Sequence, residues 1–403
     1  MGLKTGFRFI DLFCGIGGFH QAMASLGGEC VYACDINKNC RKTYKENYGI
    51  EPDSDITKVD PASIPEFDVL CGGFPCQAFS IAGKQLGFDD AKRGALFFDI
   101  CRIIKYHQPK YFLLENVKNL TSHDNGNTWK VIHQSLIDLG YNVSETPTIF
   151  SPQYLGIPQR RERVFIMGIR KDLGELPEFF FDTKQIPSTT INDILLDNNE
   201  IQGLESFKLN EDKAEVIGIW GGLIRALKCD RLPKMICADF LCSLEENPLC
   251  ATIDQQPEYI QKAIVSNNEL WKENKEVIKE WLVKAEKCKA FYGRNRKLEW
   301  HINKGTDIWD SVITFRASGI RIATTKYCPT LVTNSSRPII GQRKRYLTPR
   351  ECARLQSFPD TFKMHESSAQ AYKQFGNSVN IECVKLFAKF LLGDEETRRK
   401  YSK

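Results

Sequence analysis

The chain has 403 residues, of which 42% are apolar and 26% are charged, and its net charge is +5. These values exclude a wholly disordered protein, and the length predicts two globular domains. No stretch approaches the ~20 apolar residues of a membrane-spanning helix, and no secretory signal opens the sequence, so we expect a cytoplasmic protein without a membrane partner.

The first elements of the chain predict a nucleotide-binding α/β unit. An apolar run at 7–13 predicts a strand, and the glycine turn Cys14-Gly15-Ile16-Gly17-Gly18 separates it from a predicted amphipathic helix. A second strand then ends at Asp35, and an acid ~20 residues after such glycines can bind ribose hydroxyls. The glycine spacing differs from the GxGxxG of dinucleotide sites and therefore favours a ligand with adenosine but no pyrophosphate. A tightly packed turn without a ligand is the alternative.

The predicted chemistry is arranged around the segment Gly72-Gly73-Phe74-Pro75-Cys76. An apolar run at 67–71 predicts a buried strand, and the glycines and proline after it place Cys76 on a loop past the carboxyl end of that strand. A thiol there can act as a nucleophile where its surroundings stabilise the thiolate, and a plain loop cysteine is the alternative. The 15 cysteines are scattered without a CxxC pair, which predicts a reducing compartment, no disulfide framework and no metal site.

Two further groups follow the same pattern. The apolar run 111–114 predicts a strand that ends at Glu115, which is a candidate general acid if it lies beside Cys76 and a solvated carboxylate otherwise. Arg161 and Arg163 lie at the start of the strand predicted over 163–169. Clustered arginines usually form a solvated face, but their guanidinium groups also suit a phosphate or a base carbonyl.

The middle of the chain predicts a second domain, because regular alternation of strands and helices is lost from about 185 to 340. A charged helix is predicted over 267–289. The stretch 316–354 carries nine basic residues and one acid, which favours a surface that follows nucleic-acid phosphates over a plain solvated face. Further helices are predicted from Thr348 and Phe375, and the charged tail 394–403 is expected to fray.

Taken in order, these stretches resemble the DNA (cytosine-5) methyltransferases, in particular the small bacterial restriction–modification enzymes of the HhaI type. The resemblance covers about residues 7–171 and 345–392. The segments that carry it are 11–19, similar to the family's cofactor loop, 72–80, similar to its nucleophile loop, and 115–117, 159–163, 350–351 and 375–379, which resemble its remaining motifs.

The resemblance implies an α/β fold with a Rossmann-like S-adenosylmethionine-dependent methyltransferase domain and a smaller, inserted target-recognition domain. The catalytic domain would comprise residues 1–180 and 345–403, and the recognition domain residues 181–344. The cofactor would be S-adenosyl-L-methionine and the partner double-stranded DNA with a specific site. The protein would act as a monomer on DNA, and a cognate restriction endonuclease would share the site.

The family's roles transfer to matching positions of this chain. The catalytic residues would be Cys76, Glu115, Arg161 and Arg163. The cofactor-binding residues would be Phe13, Gly15, Ile16, Gly17, Gly18, Asp35, Ile36, Asp55, Ile56, Pro75, Leu96, Asn377 and Ser378. The DNA-binding residues would be Ser80, Lys84, Gln85, Arg316, Thr330, Leu331, Arg343 and Lys344. Two positions depart from close relatives, since Asp35 replaces a frequent Glu and Ile36 replaces an aromatic residue.

Two other functions share part of this pattern. A tRNA cytosine-5 methyltransferase would carry most of the motifs, although the long recognition segment and the basic stretch favour DNA. A catalytically silent nucleic-acid-binding module would need none of Cys76, Glu115 and Arg163, and their presence argues against it.

Overall fold

The structure is a computed structural model that describes residues 6–75, 96–183, 186–247, 249–331 and 336–402. The chain divides into two compact units, Met1–Thr189 with Cys352–Lys403, and Thr190–Glu351. These bounds lie a few residues beyond the sequence-based ones at 180 and 345. Cys76, Ser80, Lys84 and Gln85 lie outside the described residues, as does the predicted loop 83–94. In the described part of the chain no helix is long and apolar enough to cross a membrane.

The first unit is an α/β unit, as the sequence predicts. Its strands are β1 (Phe7–Leu12), β2 (Gly28–Cys34), β3 (Val69–Gly73), β4 (Tyr111–Val117), β5 (Tyr141–Val143), β6 (Thr148–Phe150), β7 (Gln159–Arg160) and β8 (Arg163–Arg170). Its helices up to this point are α1 (Gly18–Ala24), α2 (Lys38–Tyr48), α3 (Phe97–His107) and α4 (Asn127–Asp138). The main sheet has the order β2-β1-β3-β4-β8-β5, and β6 also pairs with β8. Strands β1 to β4 are parallel, and the interiors of β1, β3 and β4 are buried, whereas most of β2 is only partly buried.

The direction of β8 matters for the chemistry of this sheet. It runs antiparallel to β4, with Val117 opposite Arg163 and Glu115 opposite Phe165. The first residue of β8 therefore lies at the sheet edge where the parallel strands end. Arg163, the first residue of β8, and Glu115, near the end of β4, therefore lie at the same edge of the sheet.

The second unit contains a sheet that the sequence analysis did not predict. Its elements are α5 (Glu211–Ala226), β9 (Met235–Cys237), α6 (Glu258–Ala285), β10 (Lys297–His301), β11 (Val312–Arg316), β12 (Gly319–Ala323), β13 (Cys328–Pro329), β14 (Ile339–Ile340) and β15 (Arg345–Tyr346). Six of the strands form a sheet of order β15-β14-β11-β12-β10-β9. Trp220 on α5 and Trp281 on α6 pack 5.0 Å apart in its core.

Helix α6 is longer than the helix predicted over 267–289. It begins at Glu258 and departs from helical geometry at Asn274, where φ is −130°. The Asn274 side chain accepts a hydrogen bond from the Lys228 backbone N–H at 2.6 Å and donates one to the Leu270 carbonyl at 3.1 Å. The buried amide thus satisfies backbone groups at the point where the helix bends.

The last part of the chain returns to helices, namely α7 (Pro349–Leu355), α8 (Ser368–Asn377), α9 (Ile381–Leu392) and α10 (Glu395–Tyr401). The expectation that the tail frays is wrong. Asp394 caps α10 by accepting a hydrogen bond from the Thr397 backbone N–H at 2.9 Å, and the buried ring of Tyr401 stacks on Phe179 at 5.5 Å. One cap and one buried aromatic ring are enough to order a charged segment.

A buried ion pair lies near the last residues of the second unit, and it includes one residue of the predicted basic surface. Arg345 donates two hydrogen bonds to the Glu351 carboxylate, at 2.7 and 2.9 Å, and both side chains are fully buried. The same carboxylate accepts from the backbone N–H groups of Thr348 at 2.7 Å and Leu196 at 2.9 Å. Arg345 is therefore unavailable to a phosphate, although it belongs to the basic stretch in sequence.

Removal of one partner of this pair should destabilise the protein strongly. We expect Glu351→Ala to lower the free energy of unfolding by about 3–5 kcal/mol, because Arg345 is left as an unpaired buried charge. The matched control is Asp360→Ala, which breaks a partly exposed pair with Arg354 at 2.7 Å and should cost less than about 1 kcal/mol. Urea unfolding of both variants provides the measurement, and equal losses would contradict the assignment.

Candidate active site

The glycine turn after β1 has a backbone that few side chains tolerate. Gly15 and Gly17 have φ values of 53° and 85°, in the left-handed region that glycine adopts at little cost. Phe13 also lies there, with φ 54°, which costs energy for a residue with a Cβ atom. The turn therefore has a specific backbone conformation, in which the Phe13 side chain is half-buried.

Two segments that are far apart in the sequence approach each other at Gly18. A Cβ atom added there would lie 2.6 Å from Cγ2 of Val379 and 3.0 Å from Oγ of Ser378. Only a glycine allows α1 to approach the segment before α9 this closely. Ser378 and the exposed Asn377, predicted as cofactor-binding residues, thus lie beside the glycine turn.

Asp35 stabilises the same turn from the end of β2. Its Oδ2 accepts a hydrogen bond from the Gly15 N–H at 2.8 Å, and its Oδ1 accepts one from Asn37 at 2.7 Å. Burial raises the pKa of Asp35, and these two hydrogen bonds offset part of the rise. Each carboxylate oxygen has a second lone pair that can accept from a ribose hydroxyl. The neighbouring Ile36 side chain is 79% exposed, an unusual position for an isoleucine without a ligand.

The segment around Asp55 lies next to Asp35, because the Asp35 N–H donates to the Asp53 carbonyl at 2.9 Å. Asp55 accepts a hydrogen bond from the Thr57 hydroxyl at 2.7 Å, and this bond is the main cause that lowers its pKa. Ile56 is buried, and its carbonyl accepts from Nη2 of Arg102 at 2.8 Å. The carboxylate of Asp55 is thus held in place as an ionised acceptor.

Glu115 lies directly opposite Gly73 in the pairing of β4 with β3. A Cβ atom at Gly73 would lie 3.6 Å from Oε2 of Glu115. The side chain of Asn116 donates a hydrogen bond to the Phe74 carbonyl at 2.9 Å. The chain therefore leaves β3 beside the carboxyl group and is held there by an amide, two residues before Cys76.

Glu115 combines burial with nearby positive charge. Its side chain is 10% exposed, and Oε1 lies 3.0 Å from Nε of Arg163 without accepting a hydrogen bond from the described residues. Burial raises the pKa of Glu115, and the charges of Arg163 and Arg161 lower it in part. The net rise keeps the proton on the carboxyl group to higher pH, which suits a general acid.

Arg161 supports the site from inside the protein. It is 3% exposed, and its Nη2 donates to the Ser378 carbonyl at 2.9 Å. Burial lowers the pKa of Arg161 to about 9, which still leaves a cation at neutral pH. Its contact is with the backbone of the segment that lies against Gly18, so it connects the edge of β8 with the glycine turn.

The other predicted residues have varied surroundings. Pro75 is exposed and Leu96 is half-buried. In the second unit Leu331 is buried and Thr330 half-buried, while Arg343 and Lys344 are exposed. Arg316 forms an ion pair with Glu299 at 3.2 Å, which leaves it less available to a phosphate. Within the described ranges no group of three His, Cys, Asp or Glu could hold a metal ion.

Sequence analysis missed three residues that shape this site, namely Asn116, Arg102 and Tyr48. Asn116 lies inside the motif 115–117, so its proximity to Glu115 was a usable signal. Arg102 and Tyr48 lie on helices, and their roles depend on contacts with distant backbone carbonyls that no local pattern indicates.

The fold of the first unit is that of a Rossmann-like methyltransferase unit. A solved structure described as a putative DNA modification methyltransferase encoded within a prophage of E. coli matches with a TM-score of 0.54 and 21% identity, over 96% of this chain and 97% of that one. A likeness at this identity bears on the fold.

Sequence comparison is more specific. The family described as C-5 cytosine-specific DNA methylase matches residues 7–392. The chain is 34% identical to the type II methyltransferase M.HhaI of Haemophilus parahaemolyticus over 95% of this chain and 94% of the relative. It is 36% identical to M.HpaII of Haemophilus parainfluenzae over 97% and 90%. The chain belongs to the C-5 cytosine-specific DNA methylase family, which confirms the predicted family and fold class.

The bond from Asn116 to the Phe74 carbonyl generates a prediction about catalysis. Asn116→Leu keeps the side-chain volume but removes the donor, so the start of the Cys76 segment loses its anchor. We expect turnover to fall by about 10–100-fold, because small misplacements of reacting groups are costly, while cofactor affinity changes less than about twofold.

The control for this variant is Asn142→Leu, which removes a similar bond to the Gly174 carbonyl at 2.9 Å. Asn142 lies on β5, at the far edge of the sheet, and its replacement should leave turnover near that of the parent protein. Steady-state kinetics and melting temperatures of both variants provide the comparison. Similar turnover in the two variants would show that Asn116 does not anchor the reacting segment.

Proposed function

We propose that the protein transfers a methyl group from S-adenosyl-L-methionine to C5 of a flipped-out cytosine in a specific duplex DNA site. In this proposal it is the modification enzyme of a restriction–modification system. The observation that carries the proposal is the arrangement of Glu115 opposite Gly73, with a raised pKa and Arg163 3.0 Å away, at the start of the Cys76 segment. Membership of the DNA methylase family favours DNA over tRNA as the substrate.

The glycine turn and its neighbours fit a ligand with an adenosine group. Phe13 and the exposed Ile36 would contact the adenine ring, Asp35 would accept from the ribose hydroxyls, and Asp55 would accept from the adenine edge. The remaining members of the proposed cofactor site are Gly15, Ile16, Gly17, Gly18, Ile56, Pro75, Leu96, Asn377 and Ser378. When bound, the cofactor supplies an electrophilic methyl group on a sulfonium.

The residues of this chain would make the cytosine reactive. C5 of cytosine is a poor nucleophile, so the Cys76 thiolate adds to C6 while Glu115 gives a proton to N3, which produces an enamine with electron density at C5. After C5 has taken the methyl group, the C5 proton is lost to solvent, the Cys76 sulfur leaves C6 as a thiolate, and the N3 proton returns to Glu115. The cytosine must be out of the base stack for this chemistry, as for methyltransferases in general.

The two arginines have different roles in this proposal. Arg163 approaches Glu115 and is accessible enough to contact the cytosine carbonyl, since its side chain is 16% exposed. Arg161 is buried against Ser378 and would act by holding the site together. An uncharged side chain at either position would change the electrostatic surroundings of Glu115.

We assign DNA recognition to the second unit. Arg343 and Lys344 are exposed and suit phosphate contacts, whereas Thr330 and Leu331 belong to the segment proposed to read the site. Arg316, Ser80, Lys84 and Gln85 complete the proposed DNA contacts. Relatives named type II methyltransferases support a cognate endonuclease as the further partner. Monomeric action on DNA and a cytoplasmic location stay predictions.

The nucleophile is tested by replacing it. Cys76→Ser should abolish methyl transfer, because a serine hydroxyl does not form the anion at neutral pH. Tritium transfer from labelled S-adenosylmethionine to duplex DNA and to tRNA measures the activity, and only duplex DNA should be labelled by the parent protein. A duplex with 5-fluorocytosine at the site should trap the parent protein covalently and leave Cys76→Ser untrapped.

Two results would contradict this proposal. Substantial residual transfer by Cys76→Ser would exclude the covalent mechanism. Labelling of tRNA rather than duplex DNA by the parent protein would overturn the substrate assignment.

The role of Glu115 predicts a change in pH dependence. Its pKa is raised, so the protonated form persists to higher pH, and turnover should fall as pH rises through that pKa. Glu115→Gln cannot donate a proton, and we expect turnover to drop by about 10²–10⁴-fold and to lose this dependence. Cofactor affinity should stay nearly constant. A variant that keeps both the rate and the pH profile would show that another group is the acid.

A further inference from the structure

Tyr48, the last residue of α2, contacts the glycine turn with its side chain. The hydroxyl of Tyr48 lies 3.2 Å from the Ile16 carbonyl oxygen and 3.1 Å from that of Gly17, and it donates to this pair. A planar peptide has its C=O and N–H groups in opposite directions, so fixing a carbonyl also fixes the next N–H. The single proton of this hydroxyl is shared between the carbonyls of two consecutive peptide planes and restrains both.

The ring of Tyr48 acts together with its hydroxyl. A Cβ atom at Gly17 would lie 2.2 Å from Cε2 of Tyr48, so the ring occupies the space that any other residue at 17 would need. The turn residue Gly17 is thus required by its positive φ and also by this contact.

Tyr48 is itself held by a partly buried cluster of aromatic rings. Its ring stacks on His20 with centroids 3.8 Å apart, and it contacts the edge of Tyr44 at 4.7 Å. His20 Nδ1 and the Tyr44 hydroxyl are 2.8 Å apart, and the His20 backbone N–H donates to Asp11 at 3.3 Å. Burial lowers the pKa of His20 to about 4, so at neutral pH the imidazole stacks without a charge.

This cluster links the turn to the centre of the sheet. Asp11 lies on β1 between β2 and β3, opposite Ala33 and Cys71, and it is fully buried. Tyr44 is likewise fully buried. The support for Tyr48 is therefore close-packed, and such interiors yield little to displacement.

We infer that Tyr48 is a positioning residue for the methyl donor, because it holds the Ile16–Gly17 backbone in the shape that receives the cofactor. The inference rests on the proposed function, which assigns cofactor binding to this turn. Glycines leave a turn many conformations, and a ligand must select one of them on binding. Tyr48 holds the turn in the binding conformation before the cofactor arrives. Its hydroxyl therefore contributes to cofactor affinity without contacting the cofactor.

The test removes only the hydroxyl. Tyr48→Phe keeps the ring against Gly17 and the stack on His20, and it should raise the dissociation constant for S-adenosylmethionine about three- to tenfold, as expected for one lost hydrogen-bonding group. Calorimetry without DNA measures this constant directly. In kinetics the KM for the cofactor should rise by a similar factor, while kcat at saturating cofactor stays within about twofold.

The matched control is Tyr141→Phe. The Tyr141 hydroxyl is buried and donates to the Pro109 carbonyl at 2.6 Å, but β5 lies at the opposite edge of the sheet from β2. This control should leave the dissociation constant unchanged even if its melting temperature falls as much as that of Tyr48→Phe. A readout of affinity thus separates positioning from general stability.

The possible results are distinct. If the parent protein binds S-adenosylmethionine and Tyr48→Phe binds it equally well, the inference is overturned and the proposed function is untouched. If both variants bind more weakly by the same factor, the loss is one of stability and the inference is again overturned. If the parent protein does not bind S-adenosylmethionine, the proposed cofactor is wrong and the inference fails with it.

Discussion

The register of three neighbouring strands, β3, β4 and β8, determines which side chains lie together in the candidate active site. Gly73 on β3 lies opposite Glu115 on β4, and the antiparallel β8 places Arg163 opposite Val117 at the same edge. A shift of β4 by one residue against β3 would turn the Glu115 side chain to the other face of the sheet, and the same shift of β8 against β4 would turn Arg163 away. The register in turn depends on the buried interiors of these strands, where Leu70, Leu113 and Ile166 have almost no exposed surface.

Two arginine–glutamate pairs in this chain, one fully buried and one partly accessible, differ in how completely the carboxylate is hydrogen-bonded. Arg345 and Glu351 meet in a fully satisfied arrangement, in which the carboxylate also accepts from two backbone N–H groups. Glu115 is paired less completely, since Oε1 accepts no hydrogen bond from the described residues although Arg163 is close. The Arg345–Glu351 pair leaves no buried charge unmatched, whereas burial of Glu115 with fewer donors raises its pKa, the property on which its proposed role as an acid rests.

The sequence predicted those parts of the protein that have a local signature. The glycine turn, the strand before Cys76, Glu115 and the helix from Pro349 each follow from a short pattern of residue types, and the turn, strand and helix appear in the structure at the expected positions. The helix predicted from Phe375 is wrong at its start: it begins only at Ile381, because residues 375–377 form the end of α8, which the sequence did not predict. The sheet of the second unit escaped prediction because several of its strands have only two or three residues, such as β14 and β15. Their pairing comes from distant parts of the chain and leaves no periodicity to detect.

Individual side chains were harder still to predict. Arg345 belongs to a basic stretch in sequence, yet its pairing with Glu351 removes it from the surface. Tyr48 lies on a charged helix, and nothing nearby indicates that its hydroxyl contacts a turn some thirty residues earlier. α10 is an ordered helix although its charge predicted fraying, because the ring of Tyr401 stacks on Phe179. In each case the deciding contact is long-range, and composition does not report it.

The close approach of Gly18 to Ser378 and Val379 also has a consequence for biosynthesis. The glycine turn leaves the ribosome before the second unit is made, whereas the segment that completes the turn follows only after all of the second unit. Contacts so far apart in sequence form slowly, because a large loop must close before they contribute stability. A partly synthesised chain, or one cut short before α9, would present an incomplete turn. The order of synthesis thus delays the completion of the glycine turn until after the second unit has been made.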